Sequence, residues 1–140
     1  MREFTIRPGI QDFELNFIEE IFSKEMPPVV KAYLKKYAGT AIEECLFRSK
    51  NNTEWNIQQF NSFSDMYNLS KEFLESGWRK MLPFGYDPGG WHFCLCMEDD
   101  SYGAIFINRW TDHAPEEQFL KIADSFEEFI NGLERNPDEV

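Results

Sequence analysis

The sequence predicts an α+β domain built on an antiparallel sheet. Three observations lead there. Apolar residues recur at helical spacing between residues 10 and 39, short apolar runs alternate with tight turns between 81 and 110, and a helical stripe returns towards the C-terminus. The 140 residues are 42% hydrophobic and 16% aromatic, with fourteen Phe and four Trp, which is enough for one core and excludes a disordered chain. No repeat, low-complexity run or linker divides them, so a single domain over 1–140 is expected.

From Ile10 to Ser23, Phe13, Phe17, Ile18 and Ile21 recur at helical spacing among Asp12, Glu14, Glu19 and Glu20, the pattern of an amphipathic helix. Met26-Pro27-Pro28 stops it, and one proline suits the first turn of the next helix. There Val29, Val30, Tyr33, Leu34 and Tyr37 form the apolar stripe, Lys31, Lys35 and Lys36 stay wet, and Gly39 marks the C-cap. The two make a helical hairpin. Cys45-Leu46-Phe47 and Trp55-Asn56-Ile57 read as strands around the turn-prone Ser49-Lys50-Asn51-Asn52. A third helix follows Ser64-Asp65, with Met66, Leu69, Phe73 and Leu74 on one side and Gly77 at its end.

Met81-Leu82-Pro83-Phe84-Gly85-Tyr86 reads as a strand in which Pro83 requires an edge or a bulge. Asp87-Pro88-Gly89-Gly90 is a turn. Trp91 to Met97 alternates, with Trp91, Phe93, Leu95 and Met97 on one face and His92, Cys94 and Cys96 on the other. Glu98-Asp99-Asp100-Ser101 turns the chain again, and Tyr102 to Trp110 returns with Ile105 and Ile107 facing one way. At least three antiparallel strands follow. After a polar loop over 111–118, a last helix carries Phe119, Leu120, Ile122, Phe126, Phe129, Ile130 and Leu133, with a break near Asp124-Ser125, where Ser125 and Glu128 form a capping-box pattern.

Charge is uneven. Residues 1–80 carry 12 acids and 11 bases, whereas residues 81–140 carry 13 acids against Arg109, Lys121 and Arg135. Such a half repels phosphate backbones and excludes direct nucleic-acid binding as the expected role; it favours a basic partner instead. The plainer alternative is an acidic surface that keeps the protein soluble. Three Cys cannot build a disulfide framework and fit a reducing compartment. With no signal-like apolar run at the N-terminus and no stretch of about 18 apolar residues, a cytoplasmic, membrane-free setting is expected.

Catalytic patterns do not assemble. His92, Cys94 and Cys96 share a strand face, and a zinc site would need Cys45, His113 or a carboxylate to complete it, without any Cys-x-x-Cys spacing. Small buried thiols are the simpler account. His92 beside Cys94 lacks a third orienting group, and acidic surroundings raise a thiol pKa. Asp87 and Glu98-Asp99-Asp100 sit in turns without calcium-loop spacing, and Gly89-Gly90 lacks the Lys-Ser/Thr of a phosphate loop. No catalytic residue, metal or cofactor is expected. Trp55, Trp78, Trp91 and Trp110 are candidate recognition aromatics, Trp91 and Trp110 foremost because they adjoin acidic turns.

Three stretches carry a resemblance. Lys24 to Gly39, with its Pro27-Pro28 and Lys/aromatic/Leu helix, Leu82 to Leu95 as a central hairpin, and Ile122-Ala123-Asp124-Ser125-Phe126-Glu127-Glu128-Phe129-Ile130 as a closing helix resemble the SUKH superfamily (Smi1/Knr4-like) in the same order. The likeness covers about residues 11–133. Met26, Ala38-Gly39 and the Pro88 and Gly90 of the turn depart from that family's usual residues. It implies an N-terminal helical hairpin and a C-terminal helix packed on a curved antiparallel sheet. It also implies a non-catalytic protein-binding module. Bacterial members neutralise a cognate toxin, often a basic nuclease, by stoichiometric binding. The yeast-type alternative is a cell-wall regulator or scaffold with an endogenous partner. On the first expectation Asp87, Glu98, Asp99, Asp100, Asp112, Glu116 and Glu117 steer a basic toxin domain, with Trp91, Tyr102 and Trp110 as anchors. The oligomeric state stays open.

Overall fold

A computed structural model of the chain describes residues 9–110 and 114–134. Helix α1 spans Asp12–Phe22 and starts at a capping box, in which Glu14 accepts from the Gln11 backbone N at 2.9 Å. Its buried stripe is Leu15, Ile18, Glu19 and Phe22, while Phe13 and Phe17 face outward. The expected stripe through Phe13 and Phe17 is therefore corrected. Buried Glu19 explains the displacement: its carboxylate accepts from the Met26 N at 2.8 Å and from Lys31 Nζ at 3.2 Å, so a charged side chain occupies a core-facing position. This bond pattern straps α1 to the Met26-Pro27-Pro28 step and to helix α2, Pro28–Tyr37, which starts on Pro28 as anticipated. Val30, Tyr33, Leu34 and Tyr37 are buried, and Gly39 takes the left-handed φ of +80°.

Strands β1 (Leu46–Arg48) and β2 (Glu54–Asn56) pair as a small separate hairpin around the expected turn. Strand β3 (Gln59–Phe60) was not anticipated; two residues carry no periodicity. Helix α3 (Phe63–Glu75) is capped by Ser62, whose hydroxyl accepts from the Asp65 N, two residues earlier than the expected Ser64. Strands β4 (Met81–Tyr86), β5 (His92–Cys96) and β6 (Ile105–Asn108) follow as read.

One expectation fails in kind. Phe119–Ala123 is not helical but forms strand β7, and helix α4 is short, Phe126–Asn131, starting at the Ser125 cap seen in the sequence. The Ser125 hydroxyl accepts from the Glu128 N at 3.0 Å while Glu128 accepts from the Asp124 N at 3.0 Å. A reciprocal cap fixes the helix start there and leaves the preceding residues free to pair with β6.

The main sheet runs β3-β4-β5-β6-β7, antiparallel throughout. Register shifts at Pro83/Gly85 and Ile105/Phe106 are bulges, which bend and twist the strands. Pro83 therefore sits inside the sheet at a bulge. A Cβ on Gly85 would lie 2.6 Å from Ile57 Cδ1 and 3.1 Å from the Gln59 carbonyl, so only glycine lets the 57–59 segment approach β4 this closely. Phe84, Phe93, Leu95, Ile105 and Ile107 line one sheet face and join α1, α2 and α4 in the main core. The opposite face carries Met81, Cys94, Cys96 and Phe106 in a smaller cluster. The α+β class, with helices packed on a bent antiparallel sheet, is borne out.

Candidate functional site

The smaller cluster lies on the sheet face away from α1, α2 and α4. Phe73 from α3 caps it, and Leu69, Trp78, Trp110 and Phe119 pack around its edge. The alternation of β5 puts His92, Cys94 and Cys96 here, as read from the sequence. Ring centroids of Trp110 lie 5.5 Å from Phe73, 5.6 Å from Trp78 and 5.7 Å from His92, and Trp78 meets Phe119 at 6.3 Å. These edge-to-face contacts make one aromatic sheet from buried Phe73 out to half-buried Trp78, Trp110 and Phe119.

Trp110 is held in an unfavourable backbone conformation, φ +54°, rare for a bulky side chain. Two bonds hold it. Its backbone N donates to Asn108 Oδ1 at 2.9 Å, and its indole Nε1 donates to the Gly90 carbonyl at 2.8 Å. Asn108 is fully buried and its Oδ1 also accepts from Gln118 Nε2 at 3.1 Å, while the Arg109 N donates to the Gln118 carbonyl at 2.8 Å. The start of the β6–β7 connection is thus fastened to its end. Between that connection and the α3–β4 turn opens a groove of about 540 Å³ with Trp78 and Phe119 as walls and Arg79 and Glu116 at its rim.

The nine described residues among the ten expected to bind a partner lie in separate places on the fold. Glu98 accepts from Arg79 Nε at 2.6 Å, and Asp100 accepts from the same guanidinium at 3.0 and 3.2 Å. Arg79 also lies 5.0 Å from the Phe106 ring centroid. Asp99 pairs with Lys24, which holds its carboxyl below the usual range, and Lys24 in turn lies 4.7 Å from the Tyr102 ring centroid. The Tyr102 hydroxyl donates to the Glu25 carbonyl. Two cations therefore offset most of the charge of that turn. Asp87 Oδ1 accepts from the Gly89 and Trp91 backbone N atoms at 2.9 and 2.8 Å, a turn-building role. Trp91 packs near Trp55 against the main core, on the other side of the sheet from Trp110. Glu116 and Glu117 stand exposed on a 3-10 turn, Pro115–Glu117, with no ion pair among the described residues. Asp112 and His113 lie outside the described residues. Of the expected residues, Glu116 lines the groove, Glu117 follows it in the chain, and Trp110 packs against the wall residue Trp78. Trp78 is one of the four candidate recognition aromatics, though not one of the foremost two, and Arg79 and Phe119 are groove residues with no expected binding role. Phe119 was masked by the expected helix over a segment that pairs as a strand.

The thiols and His92 are poorly placed for chemistry. Burial pushes the Cys94 and Cys96 pKa values up and the His92 value down, the Gly85 backbone opposing the latter. Cys94 Sγ contacts the His92 carbonyl, not its ring, and the ring lies 3.3 Å from Asn61 Nδ2. Ligand atoms of Cys96, Glu98 and Asp100 lie within 4.8 Å of one another, but Arg79 already bonds both carboxylates and supplies the counter-charge a metal would. Cys45 belongs to the other side of the sheet. A second groove, about 270 Å³, lies between the β1–β2 turn and β7. At its mouth Asp124 accepts from Lys50 and Lys121, which hold its pKa at about 2. No helix among the described residues is long and apolar enough to cross a membrane.

The family model described as SMI1-KNR4 cell-wall matches residues 12–130. The chain is also 25% identical, over 167 aligned positions, to the SPbeta prophage-derived uncharacterized protein YokK of Bacillus subtilis (strain 168), covering 100% of this chain and 85% of that protein.

Proposed function

This chain belongs to the SMI1-KNR4 cell-wall family of the SUKH group, whose members are generally non-catalytic and bind protein partners, and on that premise we propose that it is an immunity protein. It neutralises a basic, nuclease-type toxin domain in the cytoplasm by stoichiometric binding. The observation that carries this reading is the groove beside Trp110. Its aromatic walls, Trp78 and Phe119, lie next to Glu116 and Glu117, which have no ion pair among the described residues, and residues 81–140, which contain both acids, carry 13 acids and three bases. An aromatic surface with an acidic rim matches a basic protein surface, the rim speeding encounter and the rings supplying contact area.

The cell-wall description of the matched family favours a second reading, a regulator with an endogenous partner. Affinity capture of the tagged protein from its own cells, washed at low and high salt, separates the two. A single basic toxin-bearing partner, and cells protected from it by co-expression, supports immunity. A reproducible housekeeping partner without protection supports regulation and removes the toxin.

A further inference from the structure

The outward face of α1 carries an aromatic ridge that the core does not use. Phe13 is 59% and Phe17 46% exposed, and their rings meet edge to face with centroids 6.1 Å apart. Half-buried Ile21, which also packs against the main core, continues the same row one helical turn further on. Because α1 buries the opposite stripe, the ridge projects away from the core, and none of its residues lines the Trp78–Phe119 groove. Among the described residues Tyr102 is the other large hydrophobic side chain this open, and its hydroxyl is bonded to Glu25.

The charge around the ridge decides what fits it. Helix α1 contains four acids and no base. Asp12 is paired with Lys35 at 2.9 Å and Glu19 with Lys31 at 3.2 Å, which leaves Glu20, and Glu14 with its bond to the Gln11 backbone N, without an ion pair among the described residues, on either side of the two rings. A second copy of the chain would set these carboxylates against their own counterparts, which opposes self-association through this face.

We propose that Phe13, Phe17 and Ile21 form a docking ridge for an amphipathic helix of a partner protein whose apolar stripe is flanked by Lys or Arg. The two rings and Ile21 supply contact area at i, i+4 and i+8, along one face of the helix, and Glu14 and Glu20 orient the basic flanks. The inference does not depend on the partner's being a toxin, and its residues lie outside the groove.

The probe is a synthetic amphipathic helix of roughly 18 residues, long enough for an isolated helix to be marginally stable, with Leu on one face flanked by Lys. A control peptide carries Glu at the flanks. Titrated into the 15N-labelled full chain, the Lys peptide should shift the amide signals of α1 and the Glu peptide should not. Affinity should fall about tenfold in the F13S/F17S variant and, independently, in E20K, and should weaken with salt. Melting temperatures of the variants should stay near that of the parent, because the substituted side chains are exposed. Equal affinity for the variants or for the Glu peptide, or shifts centred on the groove, would overturn the proposal. So would a dimer that F17S dissolves, since the occupant would then be a second copy. Binding that appears only after deletion of residues 1–8 would overturn it too, since the chain's own N-terminal residues would then be the occupant.

Discussion

Trp110 donates its indole Nε1–H to the carbonyl of Gly90 at 2.8 Å, tying the end of β6 to the turn between β4 and β5. The bond, with the ring contacts to Phe73 and Trp78, holds a bulky residue at φ +54°. W110F keeps most of the ring packing and loses the bond, and should cost about 1 kcal/mol. W110A also loses the packing and should cost about 2–3 kcal/mol. Urea unfolding reads both; a W110A variant as stable as the parent would mean the ring does not hold this corner.

Glu19 is the polar strap between α1 and α2. E19A leaves the Met26 N without its acceptor and Lys31 without its partner, so a loss of about 2 kcal/mol is expected. E19Q retains an acceptor oxygen for the Met26 N and should lose about half as much. Thermal or urea unfolding of the pair would show equal losses if the bond to Met26 were unimportant.

Acid unfolding should report two groups with opposite character. The Asp124 pKa is held at about 2 by Lys121 and Lys50, below its unfolded value of about 3.9. Its contribution is therefore fully present above about pH 4 and disappears as pH falls towards about 2. D124N should remove that part of the pH dependence and leave stability above pH 4 lower than the parent's. His92 has a lowered pKa in the fold, so the unfolded chain takes up its proton first as pH drops below about 6.5, and stability declines there. H92N should flatten that upper limb.

The three thiols should differ in reactivity. Cys94 and Cys96 are fully buried with raised pKa values, whereas Cys45 is partly open. A thiol reagent added to the native protein should label Cys45 first, and all three only after denaturation. Rapid native labelling of Cys94 would contradict its placement and reopen thiol chemistry.

Much of this architecture was legible in the sequence because local rules and the fold agree. The Pro-initiated α2, the strict alternation of β5 and the Asp87–Gly90 turn each follow from residue chemistry that the tertiary structure leaves untouched. Where the two conflict, the reading failed. Phe13 and Phe17 dominate the apolar pattern of α1, but the side that turns inward is that of Leu15, Ile18 and Phe22, with Glu19 tied to the Met26 N and to Lys31 of α2. Phe119, Leu120 and Ile122 extend the stripe of Phe126 and Phe129 at helical spacing, yet pairing with β6 makes them a strand. The acidic turn was visible as Glu98-Asp99-Asp100, but its neutralising partners, Arg79 and Lys24, lie 19 and 75 residues away in sequence from the acids they bond. No local pattern encodes such pairings, nor the meeting of Trp78 with Phe119.

The most direct test of the binding account is the association rate of the captured partner with the parent and with E116K/E117K, measured across a salt series. Because Glu116 at the groove and its neighbour Glu117 have no ion pair among the described residues, their reversal should slow association about tenfold at low salt and flatten its salt dependence, while D99N/D100N, at already paired acids, should change it less. An association rate unchanged by E116K/E117K at every salt concentration would contradict the assignment and leave the acidic half as a solubilising surface.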